Sequence, residues 1–214
     1  MVREVVLAFV AGTGVAGSQV PPVGAVGFGG GLGVTLVRAT DVVDYINSNS
    51  TSSRRLDDFA SAGEFFATTE IRIEDSWGLK VEYAYLIRSY TVDQGGSGFT
   101  EYFYAVHMPT LMAQYLDVHE GYAFKFGGGF GYHVALFTKT LQGATGRSLK
   151  STGPGFKLEA EGNTALGGQL YGYVAGDIRG DFMGALRDAD GNTMQNIVNR
   201  KDVTMSFFAI GLKF

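Results

Sequence analysis

The chain has 214 residues, 45% of them hydrophobic and only 18% charged, which excludes a disordered chain and allows one sizeable domain or two small ones. A net charge of −4 with no block of Lys or Arg excludes an electrostatic nucleic-acid binder, and the absence of Cys excludes disulfides, thiolate metal sites and a Cys nucleophile. Gly at 32 residues, 13% aromatics and only four Pro favour many β-strands over helices.

The first stretch, MVREVVLAFVAGTGVAGSQV, carries Arg3, a short apolar run over 5–11 and small residues at Gly14, Ala16, Gly17 and Ser18. This is the outline of a secretory signal cleaved after Ala16 or Ser18, although Glu4 interrupts the basic start. Residues 1–20 are expected to be such a signal or an N-terminal arm, with the folded domain over 21–214. No uncharged apolar run of about 18 residues follows, so no transmembrane helix is expected.

Downstream, residues alternate with period two, and the alternation predicts eight strands near 24–38, 63–74, 77–90, 99–115, 121–138, 153–161, 165–183 and 201–214. In the first, Val26, Phe28, Leu32, Val34 and Leu36 oppose Gly27, Gly29, Gly31, Gly33 and Thr35. In the second, Phe65, Ile71 and Ile73 oppose Glu64, Phe66, Glu70, Arg72 and Glu74; in the third, Trp77, Leu79, Val81, Tyr83 and Tyr85 oppose Lys80, Glu82 and Ala84. The fourth changes parity at Pro109, which predicts a bulge that keeps Tyr102, Tyr104, Val106 and Met108 on the same face as Leu111 and Tyr115. The fifth sets Tyr122, Phe124, Phe126, Phe130 and Tyr132 against Lys125, Gly127, Gly129, Gly131 and His133. In the sixth and seventh, Lys157 and Glu159, then Asp177, Arg179 and Asp181, oppose Leu158, Val174 and Ile178. The last places Phe208, Ile210, Leu212 and Phe214 opposite Phe207, Ala209, Gly211 and Lys213.

The connections alternate in length: long at 39–62, very short at 75–76, medium at 91–98, short at 116–120, long at 139–152, short at 162–164 and long at 184–200. An up-and-down arrangement then gathers the short turns at one end and the longer loops at the other, which is the asymmetry of membrane barrels. An eight-stranded interior is only just wide enough for side chains to fill. Gly, Ala, Thr and paired charges suit it, whereas the Phe- and Tyr-rich face would overpack it. The expected fold is therefore all-β: an eight-stranded antiparallel up-and-down transmembrane β-barrel, apolar face to lipid. A soluble calycin-like barrel with the faces exchanged is the alternative.

The terminal SFFAIGLKF, with VHMPTLMAQYL at 106–116 and KFGGGFGYHVALF at 125–137, resembles the small outer-membrane β-barrel proteins of Gram-negative bacteria in the OmpA/OmpX-like group. It is most similar to the outer-membrane β-barrel (porin-like, PorT-like) families of Bacteroidota and their relatives, over about 21–214. The resemblance implies an outer-membrane location and makes Phe208, Ile210, Leu212 and Phe214 an address for the barrel-assembly machinery.

Candidate site residues follow from the inward face. Glu70, Arg72, Glu74, Lys80, Glu82, Lys125, Lys157, Glu159, Asp177 and Arg179, with Asp181, are expected to fill the lumen as an ion-pair network. Trp77, Tyr115, Tyr122 and Phe214 are expected to form an aromatic girdle at the short-turn end. His107 and His133 project inward by parity and His119 lies in a short turn, and no Ser neighbours His133 in sequence, so no enzyme is expected. Asp188-Ala189-Asp190-Gly191-Asn192 lacks the Gly and Glu that a calcium loop needs at its sixth and twelfth positions and reads as a polar turn. The run NSNSTSSRR at 47–55 reads as a flexible loop tip, and 127–129 as close strand packing rather than a phosphate loop. The expected role is structural or interactive, with no cofactor, no metal and no nucleic acid. The expected partners are outer-membrane lipid, the assembly machinery and other envelope proteins. A small porin or solute-binding barrel, a lipid-modifying enzyme and a lipocalin-like carrier are the alternatives.

Overall fold

A computed structural model describes residues 22–50, 55–95, 98–142, 146–167 and 170–214. The signal-like N-terminus and the centre of the 47–55 run lie outside the described residues. Eight strands form one closed antiparallel barrel in sequence order: β1 (Val26–Arg38), β2 (Phe59–Glu74), β3 (Trp77–Asp93), β4 (Phe99–His119), β5 (Tyr122–Leu141), β6 (Arg147–Gly167), β7 (Leu170–Asp181) and β8 (Phe207–Lys213).

The register fixes the shape. A path taken straight across the strands from Ile71 passes Leu79, Ala113, Gly128, Leu158, Ile178, Ile210 and Leu36 and returns to β2 at Ser61, ten residues from its start. That stagger over eight strands, with a rise of about 3.3 Å per residue and strands about 4.8 Å apart, tilts the strands by about 40°. Closure leaves the paired strands without a free edge along the seam, where Gly33–Arg38 pair with Phe208–Lys213.

The junctions at 75–76 and 120–121, each two residues long, and the passage from Gly167 to Leu170 lie at one end. Gly121 supplies the positive φ of 89° that the second requires. At the other end lie 39–58, 94–98, 142–146 and 182–206. The end-to-end asymmetry is real, but several boundaries differ from the expectation. Gly162-Asn163-Thr164 is not a turn: all three residues pair on both sides within β6, and the junction falls beyond Gly167. β5 and β6 extend through most of 139–152, because Lys139↔Arg147 still pair and shorten that loop. The first long loop contains a helix, α1 (Thr40–Ser48), whose Val42, Val43, Tyr45 and Ile46 are buried.

The bulge at Pro109 is absent. β3 and β4 pair in one register from Trp77↔Tyr115 to Asp93↔Phe99, with Pro109 directly opposite Tyr83. Pro109 therefore faces outward in step, and Tyr102, Tyr104, Val106 and Met108 turn inward, where all four are buried. The lumen is not uniform. The structure has two halves, and the half nearer the long loops is apolar. There Leu86, Tyr102, Tyr104, Met108, Phe137 and Leu149 pack against α1 and against Met183, Leu186, Met194, Val203 and Met205 of the 182–206 segment. These loop residues form a cap, and the aromatic rings of β4 are its floor.

Outward positions remain apolar on every strand, as with Phe28, Phe65, Val81, Leu111, Phe126, Leu158, Ile178 and Ile210, all exposed. The glycines of β5 let neighbouring strands approach. A Cβ at Gly129 would lie 2.0 Å from the Leu111 carbonyl oxygen, whereas one at Gly176 would meet nothing within 4 Å. Gly129→Ala is thus expected to destabilise the refolded barrel by about 1–3 kcal/mol and Gly176→Ala by less than about 0.5 kcal/mol. Urea titration of the folded fraction separates the two.

Candidate functional site: the filled lumen

Because successive side chains alternate, each strand sends its charged residues to the axis. Five cations, Lys80, Lys125, Lys157, Arg179 and Lys213, meet six carboxylates, Glu64, Glu70, Glu82, Glu159, Glu161 and Asp177. Lys125 bridges Glu70 (2.5 Å) and Glu161 (2.7 Å), and Lys80 lies 2.6 Å from Glu159 and 2.8 Å from Glu161. Lys157 pairs with Glu159 and with Glu82 at 2.7 Å.

Lys213 occupies the centre. Its ammonium is 2.6 Å from Glu82, 3.3 Å from Glu64, 3.5 Å from Glu159 and 3.6 Å from Asp177, and it lies 4.7 Å from the centre of the Phe66 ring. Arg179 closes the ladder, donating to Asp177 (2.6 Å) and Glu64 (3.1 Å), while the Thr35 hydroxyl donates to Glu64 at 2.7 Å. Lys80 and Lys213 are 0% exposed. Buried charges at such density persist only when each is paired and hydrogen-bonded, and the chain of alternating signs supplies that condition.

Of the sequence-derived set, Glu70, Lys80, Glu82, Lys125, Lys157, Glu159, Asp177 and Arg179 come together here. Arg72 and Glu74 do not. The Arg72 guanidinium instead donates to the backbone oxygens of Glu74 (3.2 Å) and Asp75 (2.7 Å) at the turn, where Glu74 is exposed. Glu64, Glu161 and Lys213 were missed, although their inward parity was readable. Only the register reveals that they converge.

Above the ladder sits a second cluster. His133 Nδ1 pairs with the Asp181 carboxylate, and Nε2 lies 3.3 Å from the Thr110 hydroxyl. Hydroxyl, imidazole and carboxylate in this order resemble a nucleophile, base and orienting acid. The walls leave no place for a substrate: a Cβ on Gly131 would lie 2.4 Å from His133 Nε2, and one on Gly155 2.5 Å from His133 and from Asp181. Glycine at these two positions makes room for the imidazole itself. His107 differs from its expected position. It faces outward, with Nδ1 2.6 Å from the Tyr83 hydroxyl.

At the short-turn end, Trp77 and Tyr115 meet edge to face at 5.7 Å, and Tyr122 stacks on His119 at 4.8 Å, with His119 at the end of β4. Phe214 stands apart from them. It exchanges hydrogen bonds with Leu32, midway along β1, because the ten-residue stagger lifts this end of β8 above the turns. Phe208, Ile210, Leu212 and Phe214 all point outward.

At the opposite end, the Asp188 carboxylate accepts from the backbone N–H of Asp190 (3.1 Å) and Asn192 (2.9 Å) and from Arg147 (2.6 Å). The Arg147 guanidinium, chiefly, holds this carboxyl below the usual aspartate value. A depressed carboxyl contributes order above its unfolded pKa and loses it as pH falls through the folded value. The 182–206 segment should therefore resist proteolysis equally at neutral and mildly acid pH and loosen only below about pH 4.

No protein-family model and no curated protein matches the chain. Among solved structures, the attachment invasion locus protein Ail of Yersinia pestis is similar, at 12% identity and a TM-score of 0.46, over 90% of this chain and 98% of that one.

The ladder makes its own prediction. Lys213→Met leaves Glu82, Glu64, Glu159 and Asp177 short of a cation and should cost about 3–5 kcal/mol in urea-unfolding free energy. Adding Glu82→Gln should recover part of that loss, and a double-variant loss equal to the sum of the two single-variant losses would show that the two groups are uncoupled.

Proposed function

We propose that this chain is an integral outer-membrane barrel of a Gram-negative cell envelope that conducts no solute, catalyses no reaction, and acts through the surface it presents outside. The observation that carries this reading is the sorting of side chains by face. Large apolar residues are exposed all round the wall, while charges are sealed inside. In water that wall would expose far more contiguous apolar surface than soluble monomers do. In lipid it is the matching solvent, and closure satisfies the strand backbones where no water is available. α1 is nine residues long, too short to cross a bilayer, so crossing falls to the strands.

The filled lumen favours a scaffold over a porin. A solute would have to break the ladder around Lys213 and then displace the apolar cap. The glycine-walled His133 favours a packed polar contact over a catalytic base. A lipocalin-like carrier would need an apolar cavity inside, and the apolar residues of the inner face are spent on the cap.

On this reading Trp77, Tyr115 and Tyr122 anchor the barrel at the periplasmic interface, where amphipathic rings settle. The outward row Phe208, Ile210, Leu212 and Phe214 is the address read by the barrel-assembly machinery. α1 and the 182–206 hairpin are the platform offered to other envelope proteins, with the apolar Ile197 and Val198 at its tip 75% and 76% exposed.

Refolding into detergent, followed by electrophoresis of unheated and boiled samples, should give a boiling-dependent mobility shift. In planar bilayers the same preparation should give no stepwise conductance. A monodisperse protein in plain buffer with no shift would sink the membrane reading, and discrete channel steps would sink the closed-lumen part of it.

A further inference from the structure

We propose that Lys150 and Arg187 are the headgroup seat of a lipid site on the outer wall, which takes one phosphate-monoester lipid with its chains against Phe156 and Phe182. The inference deepens the membrane reading above and rests on it.

The first observation is an unfavourable pairing. Lys150 of β6 and Arg187 of the 182–206 segment lie directly opposite each other and exchange backbone hydrogen bonds at 2.7 and 2.9 Å. Their neighbours Leu149 and Leu186 are buried in the cap, so both cations point out of the barrel, and both are exposed. Like charges directly opposite on one face of an antiparallel pair repel. Elsewhere at this end the chain supplies an acid: Arg38 has Asp58 at 3.6 Å, and Arg147 has Asp188 at 2.6 Å. Among the described residues, none forms an ion pair with Lys150 or Arg187. The acid next in sequence, Asp188, is taken by Arg147 and by the N–H groups of Asp190 and Asn192. Arg187 donates to the Gly191 carbonyl at 3.0 Å, which leaves its charge unopposed. A dianionic oxyanion between the two removes the repulsion and accepts from both.

Height supplies a second, independent argument. Trp77 marks the lower interface, and Ile87 lies farther up the same strand. A path straight across from Ile87 passes Ala105 and Leu136 and reaches Lys150. With the strand tilt of about 40°, that path climbs toward the long loops and puts Lys150 about 35 Å above Trp77. The apolar band of a membrane barrel is about 25 Å tall, so Lys150 and Arg187 stand in the headgroup layer beyond it. Below them on the same two strands the wall changes character in the order of a lipid. The paired hydroxyls of Tyr132 and Thr152, 3.1 Å apart, come first and suit the ester region. Phe182 follows, 64% exposed and joined to Pro154 by a backbone hydrogen bond, with its ring stacked on Phe156 at 6.2 Å. Gly180 lets the Phe156 ring lie flat, since a Cβ there would be 2.5 Å from it. Cations above and a flat aromatic surface below favour a lipid phosphate over a free one, which would gain nothing from the rings.

The test uses the full-length chain refolded in dodecyl maltoside, with dioleoyl phosphatidic acid as probe and native mass spectrometry to count bound lipid. One phosphatidic acid per barrel should be retained, bound about tenfold more tightly than dioleoyl phosphatidylcholine, and it should raise the temperature of the heat-induced mobility shift. Lys150→Glu supplies the missing acid. It should raise that temperature in lipid-free detergent, because a repulsion becomes an ion pair, and should weaken phosphatidic acid binding about tenfold or more. Phe182→Ser should weaken lipid binding and leave the lipid-free transition unchanged. Arg38→Gln removes a cation that already has an acid and should leave lipid binding as it is. The mobility shift of each variant verifies that its barrel is intact. Undiminished binding by Lys150→Glu, or an equal loss from Arg38→Gln, would overturn the site. Inorganic phosphate that stabilises the native chain as much as phosphatidic acid does would overturn the lipid as its ligand. Each of these leaves the membrane reading in place, whereas a native chain that is monodisperse without detergent and shows no mobility shift would overturn both.

Discussion

Lys213 is the constraint on which the rest of the interior depends. It comes from the last strand, reaches carboxylates carried by β2, β3, β6 and β7, and lies beside the seam where β8 meets β1. A cation in a lumen this narrow cannot be hydrated, so it is stable only once those strands have delivered their acids to it. Its pairing is thus a report that the barrel has closed in the correct register. A slip of one residue on any of the four would turn a carboxylate outward and leave the ammonium short of a partner.

The same narrowness explains the division of the lumen. Where wall residues are small, as with the inward glycines of β1 and β5, long Lys and Glu side chains reach across and pair. Where β4 contributes Tyr102, Tyr104 and Met108, there is no space for chains to cross, and the rings pack against the cap contributed by α1 and 182–206. The His133 cluster lies at the change between the two. Its imidazole is accommodated by two glycines, Gly131 and Gly155, on adjoining strands. An imidazole there joins a charged lower half to an apolar upper half without leaving either ring nitrogen bare.

The outer wall is largely apolar, and polar side chains on it pair along the wall, as Tyr132 does with Thr152 and His107 with Tyr83. On the proposed reading, a barrel whose inside is filled by its own charges acts through its wall and its loops.

How much was legible in advance varies by element. Alternation along Trp77–Tyr85 and Tyr122–His133 determined which side chains share a face, since a period of two is a local property of the extended chain. It also determined that charges keep to one face, which is why most of the ladder residues could be named. It failed at Pro109, where bulky residues change face with no change in backbone register. Inner and outer surfaces both accept aromatic rings, so hydrophobicity cannot tell a ring under a cap from a ring in lipid. It failed at 162–164 for a related reason, since Gly and Asn read as a turn until both neighbouring strands are present to pair with them. Which acid meets which base, that His133 finds Thr110 and Asp181, and that Phe214 stands level with Leu32 were decided by the ten-residue stagger alone. That stagger is a property of the closed ring, and no single strand contains it.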